Sequence, residues 1–133
     1  MTSRTSGSVR IVGAGLLGTS IGLALTKLGV DVSISDQSPA VQSLAIDYGA
    51  GRTATDRDDP KLIIVCVPPD ITASLVAREL NDFQNAVVTD VASVKSGILR
   101  DLESANVDLS RYVGSHPMAG RERGGAASGR ADL

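Results

Sequence analysis

Sulfur, aromatic rings and imidazole are scarce in this chain of 133 residues, which holds one Cys, one His, two Tyr, one Phe and no Trp. A lone Cys66 excludes an internal disulfide, so a reducing compartment is the default. With so few rings, the core must be built from Val, Ile, Leu and Ala. Neither sign of charge dominates, and the net charge of -2 lacks the basic face that a nucleic-acid partner needs. No run approaches the roughly 18 uninterrupted apolar residues of a membrane span. Residues 1–8 have no apolar stretch of the kind a secretory signal carries. These absences point to a cytoplasmic protein with neither membrane nor nucleic acid as partner, and no metal site is expected.

What remains is an ordinary globular composition, 42% hydrophobic and 21% charged. The length fits one domain, able to bury roughly two-thirds of the surface its unfolded chain exposes.

Short β-branched runs alternate with segments of helical period. Val9–Val12 reads as a strand. Leu17, Ile21, Ala24, Leu25 and Leu28 then recur near the 3.6-residue period of an amphipathic helix, which Gly29 stops. Asp31–Ser35 is a second strand. Ser38 caps a short helix to about Asp47, with Pro39 in its first turn. The Gly-rich stretch from Tyr48 to Thr55 leaves room for at most a short third strand. The continuous apolar run Leu62–Val67, with Cys66 inside it, predicts a strand covered on both faces, ended by Pro68 and Pro69. A helix from Ile71 to Leu80, a strand at Ala86–Thr89, a helix through Val94, Ile98, Leu102 and Ala105, and a last strand at Arg111–Gly114 complete the pattern. Beyond Ala119 the chain is rich in Gly and Arg and has no clear period. Strand–helix alternation of this kind predicts an α/β fold of Rossmann type: a doubly wound, mainly parallel sheet with helices on both faces. Ligands of such sheets sit outside the carboxyl ends of the strands.

The first of those ends carries Gly13-Ala14-Gly15-Leu16-Leu17-Gly18. Gly13 makes the tight turn, Gly15 lets a pyrophosphate approach the backbone, and Gly18 lets the helix pack close to the sheet. The helix N-terminus offers free N–H groups to the phosphates. Leu16 and Leu17, between the glycines, belong to the same cofactor-binding turn. Asp36 ends the second strand 18 residues after Gly18, where a carboxylate accepts hydrogen bonds from ribose hydroxyls and repels a 2′-phosphate. NAD is therefore expected rather than NADP. A plain turn Asp is the competing reading.

Val67 and Pro68 either line the nucleotide site or only end a strand. Cys66 reads as an inert small hydrophobe. Ser93 either caps the next helix or points its hydroxyl at a ligand. Lys95 is either a solvated surface charge or an anion partner. His116 is the sole His, placed after the last strand and held extended by Pro117. Imidazole is the side chain best suited to take a proton near neutral pH, as oxidation of an alcohol requires.

Three stretches together, Val9 through Gly22, Thr89-Asp90-Val91-Ala92-Ser93-Val94-Lys95 and Gly114-Ser115-His116-Pro117-Met118-Ala119-Gly120-Arg121-Glu122, resemble the prephenate dehydrogenase family and its close relative arogenate dehydrogenase. The similarity runs from about Val9 to Leu133. It implies NAD-dependent oxidative decarboxylation of prephenate to 4-hydroxyphenylpyruvate in tyrosine biosynthesis. By motif, His116 matches the histidine that bonds the substrate ring hydroxyl and assists its deprotonation. Ser93 matches a serine beside that histidine and the nicotinamide, and Glu122 an acidic residue associated with gating. Gly13, Gly15, Gly18 and Asp36 match the NAD site. Family members continue into a helical domain that mediates homodimerisation and completes the substrate pocket. On this reading residues 1–8 are a flexible tail and residues 9–133 are the NAD-binding domain. This chain is then the cofactor-binding portion, inactive by itself. Arogenate as substrate, another small-acid dehydrogenase and a non-catalytic NAD-binding module are the other readings.

Overall fold

The computed structural model describes residues 7–92 and 95–114, with the backbone alone at 95 and 96. Strands and helices alternate: β1 (Ser8–Val12), α1 (Leu16–Lys27), β2 (Val32–Ser35), α2 (Pro39–Asp47), β3 (Arg52–Thr53), β4 (Pro60–Val65), α3 (Pro69–Asp82), β5 (Val87–Asp90), α4 (Lys95–Ser104) and β6 (Tyr112–Gly114). The strands form one sheet in the order β3-β2-β1-β4-β5-β6, and every pairing is parallel. This is the Rossmann-type doubly wound sheet that the alternation predicts. The strand order reverses between β1 and β4, so their carboxyl ends flank the crevice where such sheets bind ligands.

The apolar run of β4 feeds both faces of the sheet. Ile63 and Val65 join the cluster that contains Leu75 and Val76 of α3 and Ile98 and Leu102 of α4. Ile64 joins the opposite cluster with Ile11, Ile34 and Ala45, against which Ile21 and Leu25 of α1 pack. That period of two is why the run shows no polar alternation.

β4 and α3 start earlier than the pattern suggests. β4 opens at Pro60 and ends at Val65, and α3 opens at Pro69. A proline at the first position of a strand or helix gives up an N–H that has no partner there anyway. Cys66 therefore lies one residue beyond β4 rather than inside it, its N–H donating to the Val12 carbonyl at 2.7 Å. Ser8, read as tail, is the first residue of β1.

Polar contacts tie the layers together. Arg10 of β1 reaches across to Glu79 of α3, with Nε donating to Oε1 at 2.7 Å and Nη2 to Oε2 at 3.3 Å. Arg111 donates to the Leu80, Phe83 and Ala86 carbonyls at 2.7–2.9 Å. That satisfies carbonyls at the end of α3 and in the turn after it, which the helix itself leaves unpaired.

Candidate nucleotide site

The turn after β1 shows three glycines in three distinct environments. Gly13 has φ +100°, and a Cβ there would collide with the Cys66 backbone carbonyl. A Cβ on Gly18 would run into the Gly13 carbonyl, so this residue sets how closely α1 lies on the turn. Gly15 differs: a Cβ there would meet nothing within 4 Å. Packing among the described residues therefore does not require a glycine at this position. Gly15 is also the N-cap of α1, with no side-chain cap and no acidic residue in the first turn. The N–H groups and partial positive charge of that helix end are thus left for an anion. Leu16 is 87% exposed at the same place, and Leu17 is half-buried.

Asp36 follows β2. Its Oδ2 accepts the Ala14 N–H at 2.7 Å and its Oδ1 the Ser38 N–H at 2.8 Å. The first bond fastens the carboxylate to the glycine turn. A carboxylate has about four acceptor positions, so each oxygen retains capacity for a hydroxyl donor. The Asp36 N–H in turn donates to Gln42 Oε1 at 2.9 Å. Ser38 caps α2 as expected, its Oγ accepting the Val41 N–H at 3.3 Å.

A cavity of about 440 Å³ opens beside these groups. Asp36, Gln37 and Ser38 form one wall, and Ile71, Leu75 and Arg78 of α3 the other. Gly13, Val67 and Pro68 are part of the lining. Of the two prolines, Pro68 faces the cavity and caps α3, while Pro69 starts the helix. The cavity thus joins a glycine turn, an acceptor carboxylate and apolar walls, a combination suited to phosphate, ribose and base respectively.

Cys66 sits close to the glycine turn, but burial pushes its thiol up to about 12, with the Asp90 charge adding to the effect. It stays protonated, as expected of an inert thiol.

The β5–β6 end brings together a pair that patterning alone did not single out. Asp90 is fully buried. It accepts the Ala92 N–H at 3.0 Å and the Tyr112 hydroxyl at 2.5 Å. Burial, the bond to that carboxylate and its charge all raise the Tyr112 phenol above its usual range. Asp90 lies in register with Gly114, two residues before His116 in the chain. Ser93, His116 and Glu122 lie outside the described residues, as does the side chain of Lys95. Gln42 and Arg78 went unnoticed in the sequence because each looks like an ordinary surface residue of its helix.

Sheet order, glycine turn and cavity define a Rossmann-type nucleotide-binding domain. The family model described as "Prephenate dehydrogenase, nucleotide-binding domain" matches residues 21–133, and the chain belongs to that family. It is 39% identical over 92% of its length to a probable prephenate dehydrogenase of Streptomyces niveus, of which it covers 34%. It is 32% identical over 94% of its length to a cyclohexadienyl dehydrogenase of Zymomonas mobilis, of which it covers 45%. The chain thus spans less than half the length of these curated relatives. Among solved structures, prephenate dehydrogenase from A. aeolicus in complex with hydroxyphenyl propionate and NAD+ superposes with a TM-score of 0.75. That match has 30% identity and covers 92% of this chain and 45% of that one. Synechocystis arogenate dehydrogenase shares the fold, with a TM-score of 0.71 at 24% identity over 86% of this chain and 42% of that one.

Proposed function

We propose that this chain is the NAD-binding portion of a dehydrogenase that decarboxylates prephenate oxidatively to 4-hydroxyphenylpyruvate. The observation that carries the reading is the Asp36 carboxylate, fastened to the glycine turn at 2.7 Å beside an open, largely apolar cavity. Gly13, Gly15, Leu16, Leu17 and Gly18 would hold the pyrophosphate on the α1 N-terminus. Asp36 would accept the ribose hydroxyls, and Val67 and Pro68 would border the adenosine. Bound NAD supplies the hydride acceptor for the alcohol carbon. The chain's own work is to orient the substrate and take its proton. His116 is the proposed proton acceptor at the ring hydroxyl, Ser93 its polar neighbour and Glu122 the gating acid. Hydride loss makes that hydroxyl strongly acidic, so an imidazole near neutral pH suits the task.

Relatives named as prephenate, cyclohexadienyl and arogenate dehydrogenases favour one alternative substrate, arogenate. A homodimer is the proposed assembly of the full-length protein, and the cytoplasm its proposed location. Calorimetric titration with NAD and NADP tests the cofactor reading. NAD should bind at least about tenfold more tightly, the effect of a carboxylate beside a 2′-phosphate; equal affinities would refute it. NADH formation by the full-length protein with prephenate and arogenate side by side tests the reaction. There His116→Asn should reduce turnover by roughly 10²–10⁴ while sparing NAD affinity. A full-length protein that binds NAD but oxidises neither acid would instead be a binding module.

A further inference from the structure

The wall opposite Asp36 contains a cation that the cofactor reading leaves without a task. Ile71, Leu75 and Arg78 face the cavity at positions i, i+4 and i+7, one face of α3. Arg78 lies about 10 Å along the helix axis from Ile71. Its Nε and Nη2 both donate to Glu79 Oε2, at 3.2 and 2.9 Å. Glu79 is fully buried and is shared with Arg10, whose side chain is 13% exposed against 49% for Arg78. Two guanidinium groups against one carboxylate leave one positive charge over, and the more exposed group carries it to the cavity.

The bonding also fixes orientation. One edge of the Arg78 guanidinium is taken up by Glu79, while Nη1 and both faces carry no partner among the described residues. A planar cation pinned by its edge loses little further freedom on binding, and it prefers to stack on a ring. The neighbouring lining, Leu75 and Ile71, offers no polar group to compete.

We propose that Arg78 is a further binding residue of the nucleotide site, its guanidinium stacking on the adenine base. This rests on the NAD reading of the cavity and adds to it the group that holds the base. Stacking of a base on a protein side chain commonly contributes a factor of about 10 in affinity. The same cation placed against a 2′-phosphate would instead favour NADP, an outcome the test separates.

The test is calorimetric titration of the whole chain with ADP-ribose, NAD and NADP, in wild type, R78A and R78K. R78A should weaken all three about tenfold. R78K, which keeps the charge but not the plane, should leave most of that loss in place. Loss confined to NADP, full recovery in R78K, or unchanged affinities in R78A would each overturn the proposal. If R78A does not fold, R78K decides: weaker ADP-ribose binding supports stacking and wild-type binding overturns it. Wild-type chain that binds none of the three overturns the nucleotide reading itself, whereas wild-type binding with an indifferent R78A overturns the role of Arg78 alone.

Discussion

Gln42 Oε1 accepts the backbone N–H of Asp36 at 2.9 Å, which makes a residue of α2 the support of the carboxylate proposed to choose the cofactor. The Asp36 oxygens are themselves held by the Ala14 and Ser38 N–H groups. The β2–α2 turn is thus closed by hydrogen bonds at both ends of one residue. Gln42→Ala should leave the fold intact but loosen that turn. NAD affinity is expected to drop roughly three- to tenfold, about 1 kcal/mol, the usual worth of one such bond. The preference for NAD over NADP should narrow with it. Gln42→Glu keeps an acceptor oxygen and should recover most of the loss. A purely structural Gln42 would change the melting temperature and leave the NAD:NADP ratio alone.

Gly15 and Gly18 should separate binding from stability. Gly18→Ala sets a methyl group against the Gly13 carbonyl, and overpacking of that kind costs about 1–3 kcal/mol. Gly15→Ala enters open space. Its stability cost should stay below about 1 kcal/mol, the difference between Gly and Ala at an N-cap. Yet it should weaken NAD by more than about tenfold, because the methyl would enter the path proposed for the pyrophosphate. Chemical denaturation paired with NAD titration reads both effects. Equal loss of stability in the two variants would assign Gly15 to packing.

Both features were legible in the sequence for a physical reason. A glycine turn between a strand and a helix has few uses, and Asp36 stands where a second strand must end. The parallel, doubly wound sheet was legible in the same way, since strands that alternate with helices are joined by helical crossovers; its strand order was not read from the sequence. Gln42 and Arg78 were not legible. Their significance comes from contacts with Asp36 and Glu79 that depend on how α2 and α3 are turned, and helical period leaves polar positions uncommitted. The early start of α3 was hidden because Pro69 reads as the end of a strand, and that of β4 because the apolar run begins only at Leu62, although a first position tolerates proline.

Arg10 and Glu79 should show strong coupling. The pair is nearly buried, with side-chain exposures of 13% and 1%, and the Arg10 guanidinium also lies 5.0 Å from the Phe83 ring centre. Arg10→Met leaves the carboxylate with Arg78 alone, and removing one partner of a buried pair costs about 3–5 kcal/mol. The lower end is expected, because Arg78 still neutralises Glu79. Adding Glu79→Leu should restore much of the loss, as apolar replacement of a whole buried pair often does. Additive losses in urea denaturation would show that the two residues act independently.

Ser33 presents the opposite case. Its hydroxyl is buried in β2 and has no hydrogen-bond partner among the described residues. Burying an unpaired hydroxyl costs about 1–3 kcal/mol, whereas a buried methyl costs nothing of that kind. Ser33→Ala should therefore be neutral or raise the melting temperature by about 4 °C per kcal/mol gained. A clear fall would reveal that the hydroxyl does make a bond, most simply to a buried water.

Arg52 on β3 ties the amino end of β2 to the β3–β4 connection and should give the fold its acid sensitivity. Its guanidinium donates to Asp31 at 2.8 and 3.0 Å and to Asp58 at 2.8 and 3.2 Å. The bond from Arg52, helped by the Thr55 N–H, lowers the Asp58 carboxyl from 3.8 to about 2, and Arg52 lowers Asp31 as well. A carboxyl with a lower folded than unfolded value stabilises the fold above its unfolded value, here 3.8, and ceases to do so as pH falls toward about 2. Arg52 is 38% exposed, so solvent screening limits each pair to roughly 1 kcal/mol or less. Arg52→Gln should therefore lower stability near neutral pH and flatten its decline below about pH 4. Denaturant midpoints measured from pH 7 down to the acid transition read this directly. Parallel declines in the two proteins would mean that other carboxylates, not this network, set the acid limit.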